Sequence, residues 1–369
     1  MKWILTLTIM LLFAVNASVA FPQVCDEPAG PINDGPYIFN DKDALKVRWI
    51  KGNKLKEITL DEVNFAELKK DFDFLFDYSD LIKSFHTEPS FTHLYSEIDS
   101  ICVLSDVHGE YSVYLGLLQE MGVIDDELNW NYGKGHLVLL GDVFDRGSQV
   151  TEVLWHLFGL EIQAAEAGGR VHLLLGNHEL MVLSEDLRYI NPKYSKVELI
   201  TRTSYSDLFS VNSVLGNWLR SKPVIITIND IIFAHGGISM ELVKKELEFR
   251  EINQMFFENI TGKVVVEAND NRDQLFLIED DGPVWYRGYF NDSTFCETRI
   301  DSILSFYNKK HIVVGHTTTR NIRAIFNNKV IGVDAGIGVD QPGQVLLYEN
   351  GNFYKGTARG EKIRLQVPQ

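Results

Sequence analysis

Short apolar runs, each followed by polar residues and glycine, organise the middle of the chain. The runs at residues 101–104, 137–140 and 171–175 consist mainly of Val, Leu and Ile and have the length of buried strands. The segments between them, at about 111–120 and 150–167, are predicted to be helices. Strands that alternate with helices in this way predict an α/β fold with a parallel sheet.

The pattern changes after Pro223, where the apolar runs become short and follow one another more closely. We interpret these runs as strands of a second sheet: residues 224–228, 231–234, 311–314, 322–326, 330–333 and 345–348. Residues 241–281 contain apolar stretches mixed with charges, and we expect a helical insertion there. The predicted main domain covers residues 96–369.

The preceding segment, residues 21–95, contains sequence patterns of strands, turns and helices but no pattern of metal ligands. Apolar runs at 45–50 and 55–60 flank Gly52-Asn53, a pair suited to the tight turn of a hairpin. The sequence TLDE at 59–62 predicts a capping box that opens a helix through about residue 76. We therefore expect a small N-terminal extension packed on the main domain.

Residues 1–20 have the organisation of a secretory signal peptide. Lys2 precedes an apolar run at 3–15, and Ser18-Val19-Ala20 supplies the small residues of a cleavage site. The run is shorter than the roughly 20 residues that a membrane-spanning helix needs. The prediction is cleavage after Ala20, a secreted or periplasmic protein, and no stable membrane anchor.

Composition narrows the class of partner. The 369 residues are 45% hydrophobic and 23% charged, which is ordinary for a globular enzyme, and the formal net charge is -16. An acidic chain argues against a nucleic-acid partner, because clustered Lys and Arg are needed to hold a phosphate backbone.

The three cysteines do not form a disulfide framework or a zinc site. Cys102 falls inside a predicted strand and is expected to be a small buried hydrophobe. Cys25 and Cys296 are the remaining pair in an oxidising compartment, and the sequence leaves their pairing open. None of the three begins the CxxxxxR loop that a cysteine-dependent tyrosine phosphatase needs.

Candidate metal ligands recur directly after the predicted strands. The segments that carry them are SDVHG at 105–109, GDVFDRG at 141–147, GNHE at 176–179, AHGG at 234–237 and VGHT at 314–317. Asp, His and Asn offer mixed oxygen and nitrogen donors, which suit a pair of ions such as Mn, Fe or Zn. The pattern predicts a dimetal centre at the strand ends, with the identity of the ions left open.

The five segments resemble, in order and spacing, the phosphoprotein phosphatase branch of the metallophosphoesterases, whose motifs are GDxHG, GDxxDRG and GNHE. Ser105 stands where the first glycine is usual. The segments DGPY at 34–37 and GPVWYRG at 282–288 are most similar to the Shewanella-like protein phosphatases, of the cold-active protein-tyrosine phosphatase type. This resemblance implies a calcineurin-like two-sheet sandwich flanked by helices, in α-β-β-α order.

The resemblance also implies roles for individual residues. Two divalent ions would share Asp142 and be held by Asp106, His108, Asn177, His235 and His316. His178 would be the general acid, oriented by Asp145, and Arg146 and Arg287 would bind the phosphoryl oxygens. Glu179 would support the site by hydrogen bonding, and Gly109, Gly147 and Gly237 would permit tight turns.

The leading hypothesis is a secreted or periplasmic phosphomonoesterase that hydrolyses phosphoproteins by metal-hydroxide attack, with a preference for phosphotyrosine. The cleft wall for phosphotyrosine is assigned to the 241–281 insertion and to Trp285, Tyr286, Tyr289 and Phe290. One alternative is a dinucleotide tetraphosphatase, because bacterial enzymes of that kind share GHT and GDxxDRG. The other is a metal-binding module that has lost catalysis.

Overall fold

A computed structural model describes residues 30–41, 44–85, 93–260, 272–339 and 341–365. The strands are β1 Asp34–Asp41, β2 Ala44–Lys51, β3 Lys54–Leu60, β4 Leu94–Tyr95, β5 Ser100–Leu104, β6 His136–Leu139, β7 Arg170–Leu173, β8 Ile225–Ile228, β9 Ile231–Ala234, β10 His311–Val314, β11 Arg323–Ile325, β12 Val330–Gly332, β13 Gln344–Glu349, β14 Asn352–Thr357 and β15 Lys362–Arg364. The helices are α1 Glu62–Asp71, α2 Tyr78–Ser84, α3 Tyr111–Glu120, α4 Val150–Glu166, α5 Asn177–Leu183, α6 Pro192–Thr201, α7 Tyr205–Leu208, α8 Val214–Arg220, α9 Met240–Val243, α10 Phe249–Met255, α11 Arg272–Leu277, α12 Gly288–Asn291 and α13 Glu297–Phe306.

In the described part of the chain, two six-stranded sheets pack face to face. The first has the order β15-β14-β13-β5-β6-β7, and the second has the order β11-β12-β10-β9-β8-β4. Buried residues of both sheets fill the space between them, including Val103 and Val138 from the first and Phe233 and Val313 from the second. Helices cover the outer faces, so the predicted two-sheet sandwich is confirmed.

The parallel strands β5, β6 and β7 and helices α3 and α4 lie where the sequence predicts them. The assignment of residues 345–348 to the second sheet is wrong, because β13 pairs with β5 in the first sheet, with Leu346 opposite Val103. Leu346 faces the space between the sheets, and its neighbours Val345 and Leu347 face the helices. An apolar run shows that both faces of a strand are buried, but it does not identify the neighbouring strand.

The N-terminal part forms a three-stranded antiparallel sheet, β1-β2-β3, within the described residues. The predicted hairpin is confirmed, and both turn residues, Gly52 and Asn53, are left-handed, with φ of 59° and 63°. The cap of α1 is Asp61 rather than Thr59. The Asp61 carboxylate accepts from the Asn64 backbone N–H at 2.9 Å, and the Asn64 side chain accepts from the Asp61 N–H at 2.8 Å.

Helix α1 ends at Asp71, short of the predicted residue 76. The apolar residues beyond it are Phe72, Phe74 and Phe76, which recur at every second position rather than at helical spacing. Phe74 and Phe76 pack on the Trp155 ring of α4, with centroids 5.0 and 5.6 Å away. This aromatic cluster joins the N-terminal sheet to the main domain.

Helices α5 to α8, between residues 177 and 220, were not predicted as separate elements. In the region of the proposed insertion, α9, α10 and α11 are helical, and residues 261–271 lie outside the described residues. The proposed signal peptide and Cys25 also lie outside them. Among the helices that are described, none combines the length and the apolar composition needed to cross a bilayer.

Candidate metal centre

The candidate ligands follow the ends of strands from both sheets. Asp106, Asp142 and Asn177 come after β5, β6 and β7, while His235 and His316 come after β9 and β10. The loops are joined by backbone hydrogen bonds, since the His108 N–H donates to the Asp142 carbonyl at 2.9 Å and the Gly315 N–H donates to the His235 carbonyl at 2.8 Å. Side chains separated by up to 210 positions therefore meet at one edge of the sandwich.

Several of these residues have a backbone conformation that is unusual for side chains with a Cβ. Asp106, His108, Asp142, Asp145 and His316 all have positive φ, between 47° and 71°. Such conformations cost of order 1–3 kcal/mol each and persist only where the surroundings enforce them. Here they turn the chain sharply just past each strand, which aims the side chains at a common point.

Asp142 lies at the centre of the cluster. Its Oδ2 lies 3.2 Å from His235 Nε2, 3.8 Å from His178 Nε2 and 3.9 Å from His108 Nε2. Two buried groups, His108–Asp142–His178 and Asp142–His235–His316, each have ligand atoms within 4.8 Å of one another and share Asp142. With His178 set aside as the predicted acid, Asp142 lies between the imidazole of His108 on one side and those of His235 and His316 on the other, a donor set that fits two divalent ions.

The two remaining predicted ligands lie in the same cluster. Asn177 Oδ1 is 3.0 Å from His235 Nε2. Asp106 is buried, and its Oδ2 accepts hydrogen bonds from the Ser105 hydroxyl and from the His316 N–H, the latter at 3.0 Å. The structure thus brings all six predicted ligands together, and their individual roles as ligands stay predictions.

Burial lowers the pKa of two imidazoles in the cluster, whereas Asp142 outweighs burial at His235 and raises the pKa of that ring to about 9. Burial lowers the pKa of His108 to about 3 and that of His316 to about 2, so both of these rings are neutral and have a lone pair for a metal ion. Burial opposes ionisation of Asp142, but the surrounding histidines outweigh this and hold its pKa well below the usual range. Asp142 is therefore ionised, as its predicted role as a bridging ligand requires.

His178 is held by a second buried carboxylate. Its Nδ1 lies 2.5 Å from Asp145 Oδ2, and its Nε2 faces Asp142. Burial would lower the pKa of His178, but the hydrogen bond to Asp145 and the charge of Asp142 raise it above its ordinary value. The ring is thus oriented with Nε2 towards the cluster and its protonated form is stabilised.

Glu179 organises the backbone around Asp142. Its Oε2 accepts from the N–H groups of Asp142 and Gly176 at 2.8 and 2.7 Å, and its Oε1 accepts from Val143 at 2.7 Å and from Phe144 at 3.4 Å. The side chain is fully buried. The supporting role expected from the sequence is therefore performed through four backbone donors.

Two glycines allow the loops to approach closely. A Cβ at Gly176 would lie 2.2 Å from Asp142 Oδ1, and a Cβ at Gly147 would lie 2.2 Å from the His108 carbonyl oxygen. Both distances are well inside van der Waals contact. Any side chain at either position would push a candidate ligand out of place.

The two arginines reach the rim of the site. Arg287 donates to the His316 carbonyl oxygen, and its second amino group lies 3.3 Å from His316 Nδ1. Burial lowers the pKa of Arg287, opposed by the charges of Asp106 and Asp142. The Arg146 side chain is exposed, and it acts electrostatically on both His108 and Arg287. Both arginine residues are exposed, and their role in binding phosphoryl oxygens stays a prediction.

Sequence reasoning missed one buried carboxylate, Asp334. It follows β12, its Oδ1 accepts from the Gly336 N–H at 3.0 Å, and its charge raises the pKa of Asp106, to which burial contributes most. The available signal was its position directly after the apolar run at 330–333, the same relation to a strand as that of Asp106.

The four residues of the proposed aromatic wall have different surroundings in the structure, and their role as a cleft wall stays a prediction. Tyr286 and Tyr289 belong to the hydrophobic core, and the Tyr289 hydroxyl is used by the backbone of Ile238. Trp285 lies at the site, with its ring 5.7 Å from that of His316. Trp285 and Tyr286 both line a cavity of about 740 Å³ together with Glu241, Asp281 and Arg287.

The sandwich, the shared carboxylate and the two sets of imidazoles define a metal-dependent phosphoesterase. Residues 100–320 match the family of calcineurin-like phosphoesterases. The chain belongs to this family, and within it to the Shewanella-like protein phosphatases. Members of the family use two divalent metal ions.

Two relatives illustrate the relation. The crystal structure of the cold-active protein-tyrosine phosphatase of a psychrophilic Shewanella species is 38% identical, with a TM-score of 0.81, and the match covers 91% of this chain and all of that one. Shewanella-like protein phosphatase 1 of Plasmodium berghei is 28% identical over 251 residues, which are 65% of this chain and 67% of that protein.

A third relative matches this chain over a shorter stretch. The symmetrical bis(5'-nucleosyl)-tetraphosphatase of Shewanella loihica is 31% identical over 127 residues, which are 33% of this chain and 41% of that protein. The match therefore covers a minority of both chains.

Proposed function

We propose that this phosphoesterase is exported and hydrolyses phosphomonoesters of proteins, with phosphotyrosine as the preferred substrate. The observation that carries the proposal is the buried His178–Asp145 pair, whose imidazole Nε2 faces the shared carboxylate Asp142. A proton donor fixed beside a metal cluster is the arrangement that ester hydrolysis requires.

In the proposed mechanism, the dimetal centre would be held by Asp106, His108, Asp142, Asn177, His235 and His316. Two divalent ions bound there would supply Lewis acidity and would lower the pKa of a water molecule. Arg146 and Arg287 bind the phosphoryl oxygens and offset their negative charge. A phosphoryl group bound in this way has the ester oxygen of its leaving group directed towards His178.

An oxygen from water bonds to phosphorus as the ester P–O bond breaks, and His178 donates a proton from Nε2 to the leaving oxygen, which gains negative charge. Asp145 keeps the ring in place through Nδ1 and stabilises its charged form. Neither of the two cysteines in the described part of the chain supports a covalent cysteine route. Cys102 is buried within β5 and burial raises the pKa of its thiol, and Cys296 lies exposed before α13.

Phosphotyrosine preference is supported by the similarity to the cold-active protein-tyrosine phosphatase, which covers most of this chain. The test is kcat/KM on matched peptides that carry phosphotyrosine, phosphoserine or phosphothreonine, measured beside diadenosine tetraphosphate. We expect the phosphotyrosine peptide to give the highest value. A phosphoserine preference would contradict the proposed phosphotyrosine preference but would leave the proposed protein phosphatase activity in place.

A dinucleotide tetraphosphatase is the second candidate, favoured by the 31% identity over 127 residues to the bis(5'-nucleosyl)-tetraphosphatase of Shewanella loihica. If diadenosine tetraphosphate gives the highest kcat/KM, this candidate replaces the first. Turnover of p-nitrophenyl phosphate on addition of Mn separates both enzymes from a metal-binding module without activity.

Export is supported by the charged, apolar and small-residue order of residues 1–20. When the full chain is expressed in a bacterium, we expect the mature protein outside the cytoplasm with Phe21 as its first residue. A cytoplasmic protein that keeps residues 1–20 would contradict this proposal.

A further inference from the structure

Tyr189 is a large side chain in an unexpected position. It lies between α5 and α6, and 51% of its surface is exposed. Its ring nevertheless packs on the buried His178, with centroids 5.6 Å apart and planes inclined by 57°. The Arg188 guanidinium also lies over this ring, 5.6 Å from its centroid, so the surface that Tyr189 offers to a substrate is the exposed part that neither His178 nor Arg188 covers.

The position of the Tyr189 backbone is tied to the catalytic loop. The Arg146 N–H donates to the Tyr189 carbonyl at 3.0 Å, and the Asn191 side chain donates to the Arg146 carbonyl at 2.7 Å. Lys193 extends this connection, because its Nζ donates to the Ser148 carbonyl at 2.6 Å. The main chain of Tyr189 is therefore anchored to Arg146, one of the two groups proposed to bind phosphate.

This arrangement places the ring on the side of the leaving group. A proton from His178 Nε2 reaches the ester oxygen only if that oxygen lies next to the imidazole. Whatever is bonded to the oxygen then extends over the surface beside His178, where Tyr189 lies. In phosphotyrosine an aromatic ring is bonded directly to this oxygen, whereas in phosphoserine only a methylene group is.

We propose that Tyr189 is a specificity residue, whose ring contacts the aryl leaving group and so favours phosphotyrosine and other aryl phosphates over alkyl phosphates. The proposal rests on the proposed function, because it uses His178 as the acid. Tyr289 is buried, and Tyr286 and Trp285 line a cavity with Arg287, where the Trp285 ring lies against His316.

The test must separate ring contact from leaving-group acidity. The substrates are phenyl phosphate and a fluorinated alkyl phosphate whose alcohol is as acidic as phenol. For Tyr189→Ala we expect kcat/KM to fall roughly 3- to 10-fold on phenyl phosphate, the size of an aromatic pair contact, with less than about a twofold change on the fluoroalkyl ester. Tyr189→Phe should keep the aryl preference.

Binding provides an independent readout. Inhibition by phenylphosphonate should weaken in Tyr189→Ala by a similar factor, while inhibition by inorganic phosphate, which has no ring, should be unchanged. The matched control is Phe306→Ala, which removes another exposed aromatic ring, 44% accessible, from α13. We expect this control to keep the aryl preference of the unmodified protein.

Equal losses on the two esters, or equal weakening of both inhibitors, would overturn the assignment of Tyr189 and leave the proposed function in place. Loss of the aryl preference in Phe306→Ala would also overturn it. Failure of the unmodified protein to hydrolyse any phosphate monoester would instead overturn the proposed function.

Discussion

Replacement of Glu179 by Gln tests the support of the metal centre. The change keeps the size of the side chain but replaces one carboxylate oxygen by an amino group. Each Glu179 oxygen accepts from two backbone N–H groups. In either orientation of the Gln amide, its NH₂ group would face two of these N–H donors and could accept from neither. These N–H groups belong to Asp142, Gly176, Val143 and Phe144.

The magnitude follows from the number of donors that lose their acceptor. A buried donor left unsatisfied costs about 1–3 kcal/mol. Two such donors give an expected loss of about 2–6 kcal/mol in the free energy of unfolding, which is a large part of the roughly 5–15 kcal/mol that stabilises a typical protein. Because Asp142 is one of the affected residues, metal affinity should fall about 10- to 100-fold as well.

The assay is urea unfolding in the presence of a chelator, so that bound metal does not contribute to the measured free energy. Metal binding is then titrated separately. Glu67→Gln on α1 is the control, because Glu67 is exposed and its change should stay within about 0.5 kcal/mol. If Glu179→Gln also stays within that range, the four hydrogen bonds do not stabilise the site and the reasoning is refuted.

Three further predictions concern charge and proton transfer. Asp142→Asn should abolish turnover and reduce bound metal below two ions per chain, and a variant that keeps two tightly bound ions and near-normal activity would show that Asp142 is not shared. His178→Ala should lose more rate on alkyl than on activated aryl phosphates, within the roughly 10²–10⁴-fold range of general acid catalysis, and equal losses would indicate that His178 only orients a ligand. Burial raises the pKa of Glu152 from 4.5 to about 7, so its charged form is disfavoured in the folded state and stability falls as the pH rises through this window. Because a third of this side chain is accessible, Glu152→Gln should remove only about 1–2 kcal/mol of this pH dependence. The measurement is the free energy of unfolding of both proteins between pH 4.5 and 7. If the difference between the two proteins is the same at every pH in this range, the reasoning is wrong.

The sequence by itself determined the elements whose signals are local. The strands that end at Leu104 and Ala234, the helix α3 and the Gly52-Asn53 hairpin all follow from apolar spacing and turn chemistry over a few residues. The candidate ligands could be found in the same way, because each stands directly after an apolar run. The motifs also carried the family resemblance, since they are contiguous.

Only the tertiary structure decided which segments meet. Residues 345–348 are as apolar as the strands of the second sheet, and it is pairing with β5 that places them in the first. Asp334 has no motif around it in the sequence. It joins the site only because β12, which it follows, pairs with β10. Tyr189 and Tyr289 are the same residue type, yet packing exposes one beside His178 and buries the other at 4% accessibility. Local patterns record how a segment folds, whereas burial and contact depend on partners far away in the chain, which no local pattern specifies.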